Sequence, residues 1–360
     1  MSLTLYRKYR PGTFGEIEGQ EHVVRTLQGA LRAGRVGHAY LFAGPRGTGK
    51  TTVARLFAKA LNCSQLNERL LAEGRELMAA PAEPCNLCSS CGEINEGRSL
   101  DLIEIDAASN RGIDEIRNLR DSARVAAASS NYKVFVIDEV HALTKDAFNA
   151  LLKTLEEPPA HVVFVLATTE PHKVLETILS RVQRFDFRKI SPGLIVKKLK
   201  KVAAAEKIEI DDEALAALAS HAGGSLRDAE SALAKLVAFA GEKITADHAA
   251  EILGLVPIQV HENFLKAILE KRPQEAMTLI AELYDSGADL ENFTKQFVNH
   301  TRAKLVSIVG KPIADSSLSP QDLVKILNVF VKTKSEFRGS PIPQLPLELA
   351  VMELTSNGQS

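Results

Sequence analysis

The 360 residues exceed what one ordinary hydrophobic core holds, so two or three domains are expected. With 45% hydrophobic and 25% charged residues the composition is that of a globular chain, and a formal net charge of −1 excludes binding to nucleic acid by bulk charge alone. No run of about eighteen apolar residues is present, and the start, Met1-Ser2-Leu3-Thr4-Leu5-Tyr6-Arg7-Lys8, lacks the apolar core of a secretory signal. These features exclude a membrane-spanning helix and make the cytoplasm the expected compartment.

The first strong element is a short buried strand at Ala39 to Ala43. It runs into Gly44-Pro45-Arg46-Gly47-Thr48-Gly49-Lys50-Thr51, and Thr51 to Asn62 follows as a helix with Val53, Leu56, Phe57, Ala60 and Leu61 on one face. Strand, glycine-rich loop and helix in that order form a phosphate-binding loop. Its backbone N–H groups wrap phosphate oxygens, and the helix N-terminus favours negative charge. Lys50 is expected to reach the β- and γ-phosphates, the Thr51 hydroxyl to ligate Mg²⁺, and Thr52 to complete the nucleotide-binding run.

The cysteines follow at once: Cys63, then Cys85-x-x-Cys88-x-x-Cys91. In a cytosolic chain such grouping points to metal rather than disulfides. Four thiolates make a closed, structural Zn²⁺ site. An iron–sulfur cluster is the competing reading, although its usual fourth cysteine lies just downstream and is followed by proline. Residues 64–84 are expected to form a helical insertion.

Further strands are expected at Leu100 to Asp106, Val134 to Ile137, Val162 to Ala167 and Arg184 to Phe187. A helix marked by Phe148, Leu151, Leu152 and Leu155 runs from Lys145 to Glu157 and is stopped by Pro158-Pro159. Alternating helices and strands from 20 to 187 predict an α/β domain with a parallel sheet. The apolar run Val134-Phe135-Val136-Ile137 suits a central strand buried on both faces. Asp138 and Glu139 emerge from its end, Asp138 to hold Mg²⁺ and Glu139 to polarise an attacking water. After Pro192 strands are expected to stop. Short helices fill 192–254, broken at Gly223-Gly224, and longer ones fill 255–350, with breaks near Lys271-Arg272-Pro273, Ser286-Gly287 and Pro341 to Pro346. The basic cluster Lys197-Lys198 with Lys200-Lys201 reads as a solvated helix face. The polar tail from Ser356 to Ser360 reads as frayed.

Taken together, these stretches resemble the AAA+ ATPases and, within them, the bacterial clamp loaders. The resemblance is carried by Arg7-Lys8-Tyr9-Arg10-Pro11, Gly19-Gln20-Glu21-His22, the phosphate loop and the cysteines. It continues through Asp138-Glu139-Val140-His141, Leu151 to Pro159, Ala167-Thr168-Thr169, Leu179-Ser180-Arg181 and Gly224-Ser225-Leu226-Arg227-Asp228. It spans residues 1 to about 230 in the family's order, and beyond that the helices match only in kind.

What the resemblance implies is more detailed. It assigns an AAA+ domain with a zinc-binding insertion (63–91) to residues 1–188, a small helical lid to 189–254 and an all-α oligomerisation collar to 255–360. Thr169 becomes a polar sensor of the γ-phosphate, with Thr168 as the substitute, and Arg227 a second sensor. Ser225 with Asp228 resembles a capping box, which sets Arg227 in a first helical turn. Arg181 becomes a finger reaching a neighbouring subunit's ATP, and Tyr9, Arg10 and Pro11 part of the adenine pocket. Two departures stand out: Val182 replaces the usual cysteine after the finger, and the segment between Cys63 and Cys85 is longer than usual. The implied activity is ATP hydrolysis that opens a sliding clamp and loads it on primed DNA. The implied partners are other clamp-loader subunits in a hetero-oligomeric ring, the clamp and primer-template DNA, with no membrane. DNA contact would follow phosphates rather than base sequence. A non-hydrolysing scaffold subunit and a related ring helicase are the alternatives.

Overall fold

A computed structural model describes residues 4–73, 81–309 and 319–356. The chain divides into two compact units, Met1–Ile208 with Leu218–Lys235, and Glu209–Ala217 with Leu236–Ser360. In chain order the first stretch holds α1 (Leu5–Lys8), α2 (Glu21–Arg32), β1 (Ala39–Ala43), α3 (Lys50–Asn62), α4 (Ser64–Glu73) and α5 (Ser89–Glu96). It continues with β2 (Leu102–Asp106), α6 (Ile113–Ala123), β3 (Lys133–Asp138), α7 (Lys145–Glu156), β4 (Val162–Thr168), α8 (Glu176–Leu179), β5 (Gln183–Asp186) and α9 (Pro192–Glu206). Then come β6 (Glu209–Ile210), α10 (Asp212–His221), α11 (Leu226–Ala240), β7 (Lys243–Ile244), α12 (Ala246–Leu253) and α13 (Ile258–Leu269). The last helices are α14 (Pro273–Asp285), α15 (Leu290–Val309), α16 (Pro320–Glu336) and α17 (Leu345–Thr355).

The five long strands form one parallel sheet in the order β2-β3-β4-β1-β5. β1, β3 and β4 are buried almost throughout, because helices cover both faces of the sheet. Side chains alternate between those faces with the strand period of two. Tyr40, Phe42, Val134, Val136, Val163 and Val165 pack with α2 and α3. Leu41, Phe135, Ile137, Phe164 and Leu166 pack with α6 and α7. The chain leaves β1 for the far edge and returns through β3 and β4, so the carboxyl ends of β3, β4 and β1 lie side by side. In an open α/β sheet that is where ligands bind.

Most expected elements are present with ends shifted by a residue or two. Leu100 is exposed rather than the start of a strand, because the buried Asp101 carboxylate caps the loop at Ala128 and Ser129 instead (2.7 and 3.0 Å). Strands do not stop at Pro192. In the second unit Glu209–Ile210 pairs in parallel with Lys243–Ile244, a bridge too short to leave a periodic signal. Of the insertion, 64–73 is helical and 81–84 is not, and the remainder of the expected helix lies outside the described residues. The frayed tail from Asn357 onward also lies outside them. In the second unit α13 to α17 pack around an aromatic core in which Phe264, Phe293, Phe297 and Phe330 meet edge to face. Among the described residues no single helix is long and apolar enough to cross a membrane.

Candidate nucleotide site and cysteine cluster

The phosphate loop joins β1 to α3, and its shape depends on two glycines. Gly47 has φ +72°, and a Cβ there would stand 1.8 Å from Ser225 Oγ; Gly44, at φ +149°, would put one 2.4 Å from the Phe187 carbonyl. Any side chain at Gly47 would push away the start of α11, whose Leu226 N–H donates to Gly47 O (3.1 Å). Lys50 is buried with its ammonium turned into the loop, donating to Gly44 O (2.7 Å) and Pro45 O (2.8 Å). Burial lowers its pKa, and the nearby Glu139 and Asp138 pull it back up.

The Thr51 hydroxyl donates to Asp138 Oδ2 at 2.7 Å, so the loop after β1 and the acid at the end of β3 meet directly. Glu139 adopts φ +49°, an uncommon conformation for a non-glycine residue, and it turns the carboxylate toward β4. There Glu139 Oε2 accepts from Thr169 Oγ1 (2.9 Å) and Thr169 N–H (3.3 Å). Thr168 is buried and faces His141 instead, with its hydroxyl 2.9 Å from Nδ1. His141 also lies 3.4 Å from Glu139 Oε2 and 3.4 Å from Glu170 Oε1.

A cavity of about 270 Å³ opens beside this junction. Arg46, Gly47, Thr48, Gly49, Lys50, Thr51, Thr52, Asp138 and Glu139 line it on the loop side. Arg10, Pro11, Ile17, Leu226, Arg227 and Glu230 are among the residues that close it elsewhere. Arg10 and Pro11 therefore line this cavity. Tyr9 does not line the cavity: its hydroxyl donates to Glu206 Oε1 (2.5 Å), because α1 is a single turn whose facing is set by its neighbours. Tyr6 lines the cavity in its place and supports the Arg227 guanidinium at 5.0 Å from its ring centre. The expected capping box is half formed. Ser225 Oγ accepts from Asp228 N–H (3.2 Å), but the Ser225 N–H is taken by Ala222 O (3.0 Å). Lys197, Lys200 and Lys201 are solvated as expected; Lys198 turns inward, lines the cavity and donates to Tyr9 O (3.3 Å).

Arg181 is outside the cavity lining. It follows α8 and holds Thr177 O (2.7 Å) and Glu156 Oε1 (2.8 Å) on the surface. Sequence reasoning assigned no role to Gln20, which is fully buried. Its amide bonds Arg188 on both sides (N–H to O 2.7 Å, Oε1 from N–H 3.1 Å) and reaches Thr48 O (3.4 Å), tying the segment after β5 to the phosphate loop.

The four cysteines converge: their sulfurs all lie within 4.8 Å of one another, with Cys63 and Cys91 buried and Cys85 and Cys88 half-buried. Cys63 sits at the C-terminal end of α3 and the others at the start of α5 and in the loop before it. Backbone N–H groups of Leu66 and Cys85 point at Cys63 Sγ, and those of Leu87 and Cys88 at Cys85 Sγ (3.3–3.4 Å). Beside them Lys59, buried by 98%, donates to Gly12 O (2.9 Å), Asn86 Oδ1 (2.6 Å) and Asn95 Oδ1 (2.9 Å). Burial lowers its pKa, and the cysteines and Glu16 oppose that shift.

Comparison with known proteins agrees along the whole chain. Residues 19–191 match the family described as DNA polymerase III, delta subunit, residues 194–242 the clamp loader subunit ATPase lid domain, and residues 244–359 domain III of the gamma and tau subunits. The tau subunit of Bacillus subtilis is 39% identical over 97% of this chain and 62% of its own length. The gamma subunit of Buchnera aphidicola is 40% identical over 80% of this chain and 76% of its own, and Escherichia coli tau is 42% identical over 80% and 43%. The chain thus spans less than two thirds of the Bacillus relative. On these matches the chain belongs to the gamma/tau family of DNA polymerase III clamp-loader subunits, AAA+ proteins by fold.

Proposed function

We propose that this chain is the ATP-hydrolysing motor subunit of a DNA polymerase III clamp loader, working in the cytoplasm within a hetero-oligomeric ring. It would open a sliding clamp and release it on primer-template DNA. The observation that carries the reading is the 2.7 Å bond between Thr51 and Asp138 beside a cavity lined by the phosphate loop. Two oxygen donors at that spacing fit Mg²⁺, a hard cation bound through one or two protein oxygens and substrate phosphates. When bound, Mg²⁺ would neutralise charge on the β- and γ-phosphates. Lys50 would exchange its carbonyl partners for phosphate oxygens. Glu139 would orient the attacking water and accept its proton, held in place by Thr169. Arg227 would bring the lid to the nucleotide, and Arg181 would serve the neighbouring subunit.

We further propose that the cysteines hold Zn²⁺. A single ion about 2.3 Å from four sulfurs spaces them roughly 3.8 Å apart. The Cys85–Cys91 separation of 3.9 Å fits that spacing, and a multi-iron core would spread them further. Domain boundaries near residues 188 and 254 belong to the same proposal. The test is steady-state ATPase activity of the chain assembled with its partner subunits, with and without clamp and primed DNA. Stimulation by both supports a loader motor. No hydrolysis in the full assembly would favour a scaffold subunit, and ATP-dependent strand displacement a helicase.

A further inference from the structure

Several carboxylates line the nucleotide cavity, and most are engaged. Glu16 accepts from Gly12 N–H (2.6 Å), Glu18 from Lys201 (3.5 Å), Asp138 from Thr51 and Glu139 from Thr169. Glu230 is different. It is 94% buried, it lines the same cavity, and no hydrogen bond or ion pair holds its carboxyl group among the described residues. Lys198, the nearest cation to influence it, directs its ammonium to Tyr9 O. Its oxygens are not among the sealed unpaired atoms, so they open onto the cavity, and there the natural partner is whatever fills it.

Its position narrows the partner's identity. α11 begins at the phosphate loop, since Leu226 N–H bonds Gly47 O. Leu226, Arg227 and Glu230 stand at i, i+1 and i+4, so Leu226 and Glu230 share a face and Glu230 lies one turn beyond the loop contact. Phosphates occupy the loop, which leaves the base for the part of the cavity one turn along. The cavity also carries apolar and ring surfaces from Tyr6, Pro11, Ile17 and Leu226, suited to the faces of a base. Burial raises the Glu230 pKa to about 7, so the carboxyl offers an acceptor in either state.

We propose that Glu230 is a base-specificity residue, its carboxyl oxygen accepting a hydrogen bond from the exocyclic amino group of adenine. The inference rests on the nucleotide reading above. Its probes are ATP and purine riboside 5′-triphosphate, which lacks only that amino group, titrated against the full chain with Mg²⁺ present. The parent should prefer ATP by about tenfold, one hydrogen bond to a buried acceptor. Glu230→Leu should collapse that ratio to near one while leaving affinity for the analogue within about twofold. Glu230→Gln, which keeps an acceptor, should retain most of the preference. Lys50→Ala should weaken both ligands alike. If Glu230→Leu weakens both ligands by the same factor, or leaves the ratio unmoved, the inference is overturned and the nucleotide reading stands. A parent chain that binds neither triphosphate would overturn both.

Discussion

Glu230 also predicts how stability depends on pH in the nucleotide-free chain. Its carboxyl is ordinary in the unfolded chain and pushed up to about 7 by burial in the folded one, with Lys198 opposing weakly. Below about pH 4.5 both states hold the proton and the residue contributes no slope. Between there and pH 7 the unfolded chain has released the proton and the folded one has not. Stability therefore falls with rising pH, at about 1.4 kcal/mol per unit, and the full cost of about 3 kcal/mol is present above pH 7. Glu230→Gln removes the titration and keeps the shape. Denaturant unfolding of the two chains at pH 5, 6, 7 and 8 isolates the effect, because contributions from the second unit and from all other titrating groups cancel in the difference. The variant should gain on the parent as pH rises and level off above 7. A difference flat to about 0.5 kcal/mol would mean that the carboxyl is solvated. A carboxylate ionised and paired with Lys198 would also leave the difference flat across this range, because its titration would then lie below the ordinary carboxylate pKa.

Other predictions concern the rest of the site. Lys59→Met leaves three carbonyl oxygens without their buried donor and should cost about 3 kcal/mol, measured by guanidinium unfolding; an unchanged midpoint would refute the burial of its ammonium. Purified protein should carry about one Zn²⁺ per chain, and Cys88→Ser should lower stability more than nucleotide affinity; elemental analysis finding iron or no metal would sink the zinc assignment. Lys50→Ala should weaken ATP binding itself, whereas Glu139→Gln should keep binding and lose turnover; parent-like hydrolysis by Glu139→Gln would remove Glu139 as the base. Arg181→Ala should barely change stability, since its exposed pair with Glu156 is worth under about 1 kcal/mol, yet slow hydrolysis in the assembled ring by roughly a thousandfold. Mixing Arg181→Ala with Glu139→Gln chains should restore part of the rate, and no recovery in a confirmed assembly would exclude action in trans.

How far the sequence could be read follows the range of the interactions concerned. The phosphate loop, the cysteine spacing and the apolar strands are local patterns, and each occupies its expected place. Contacts set by tertiary packing were not legible. Tyr6 lies within the one-turn helix α1 and Tyr9 caps it, and their partners, Arg227 and Glu206, come from distant parts of the chain. Thr168 ends a strand and Thr169 lies past it, so the bond to Glu139 depends on the unusual backbone of Glu139 itself. Gln20, Lys59 and Glu230 are of residue types that are mostly exposed. Each is buried instead, and a buried polar residue gives no periodic signal. The motif that includes Gln20 was visible, but its hydrogen bonds to Arg188 and Thr48 were not.

One arrangement joins the cysteine cluster to the nucleotide cavity. α3 starts with Lys50 and Thr51 at the phosphate loop and ends at Cys63, about 20 Å away at 1.5 Å per residue. The N-terminal segment contributes Arg10, Pro11, Glu16 and Ile17 to the cavity wall and packs Phe14 and Ile17 into the core. It is held at Gly12 by Lys59 from α3, which simultaneously grips Asn86 and Asn95 of the insertion. It is held again at Phe14 and Gly15, whose N–H groups donate to the Glu83 carboxylate (2.7 and 3.0 Å), two residues before Cys85. Both anchors therefore depend on the fold of the cysteine-bearing loop. A closed four-thiolate metal site of the kind proposed would take no part in hydrolysis but would fix the loop that holds this wall. Loss of the metal would relax the wall while leaving the phosphate loop, built on β1 and α3, intact. Nucleotide affinity should then fall less than stability, because the phosphate contacts survive and only the wall around the base is loosened.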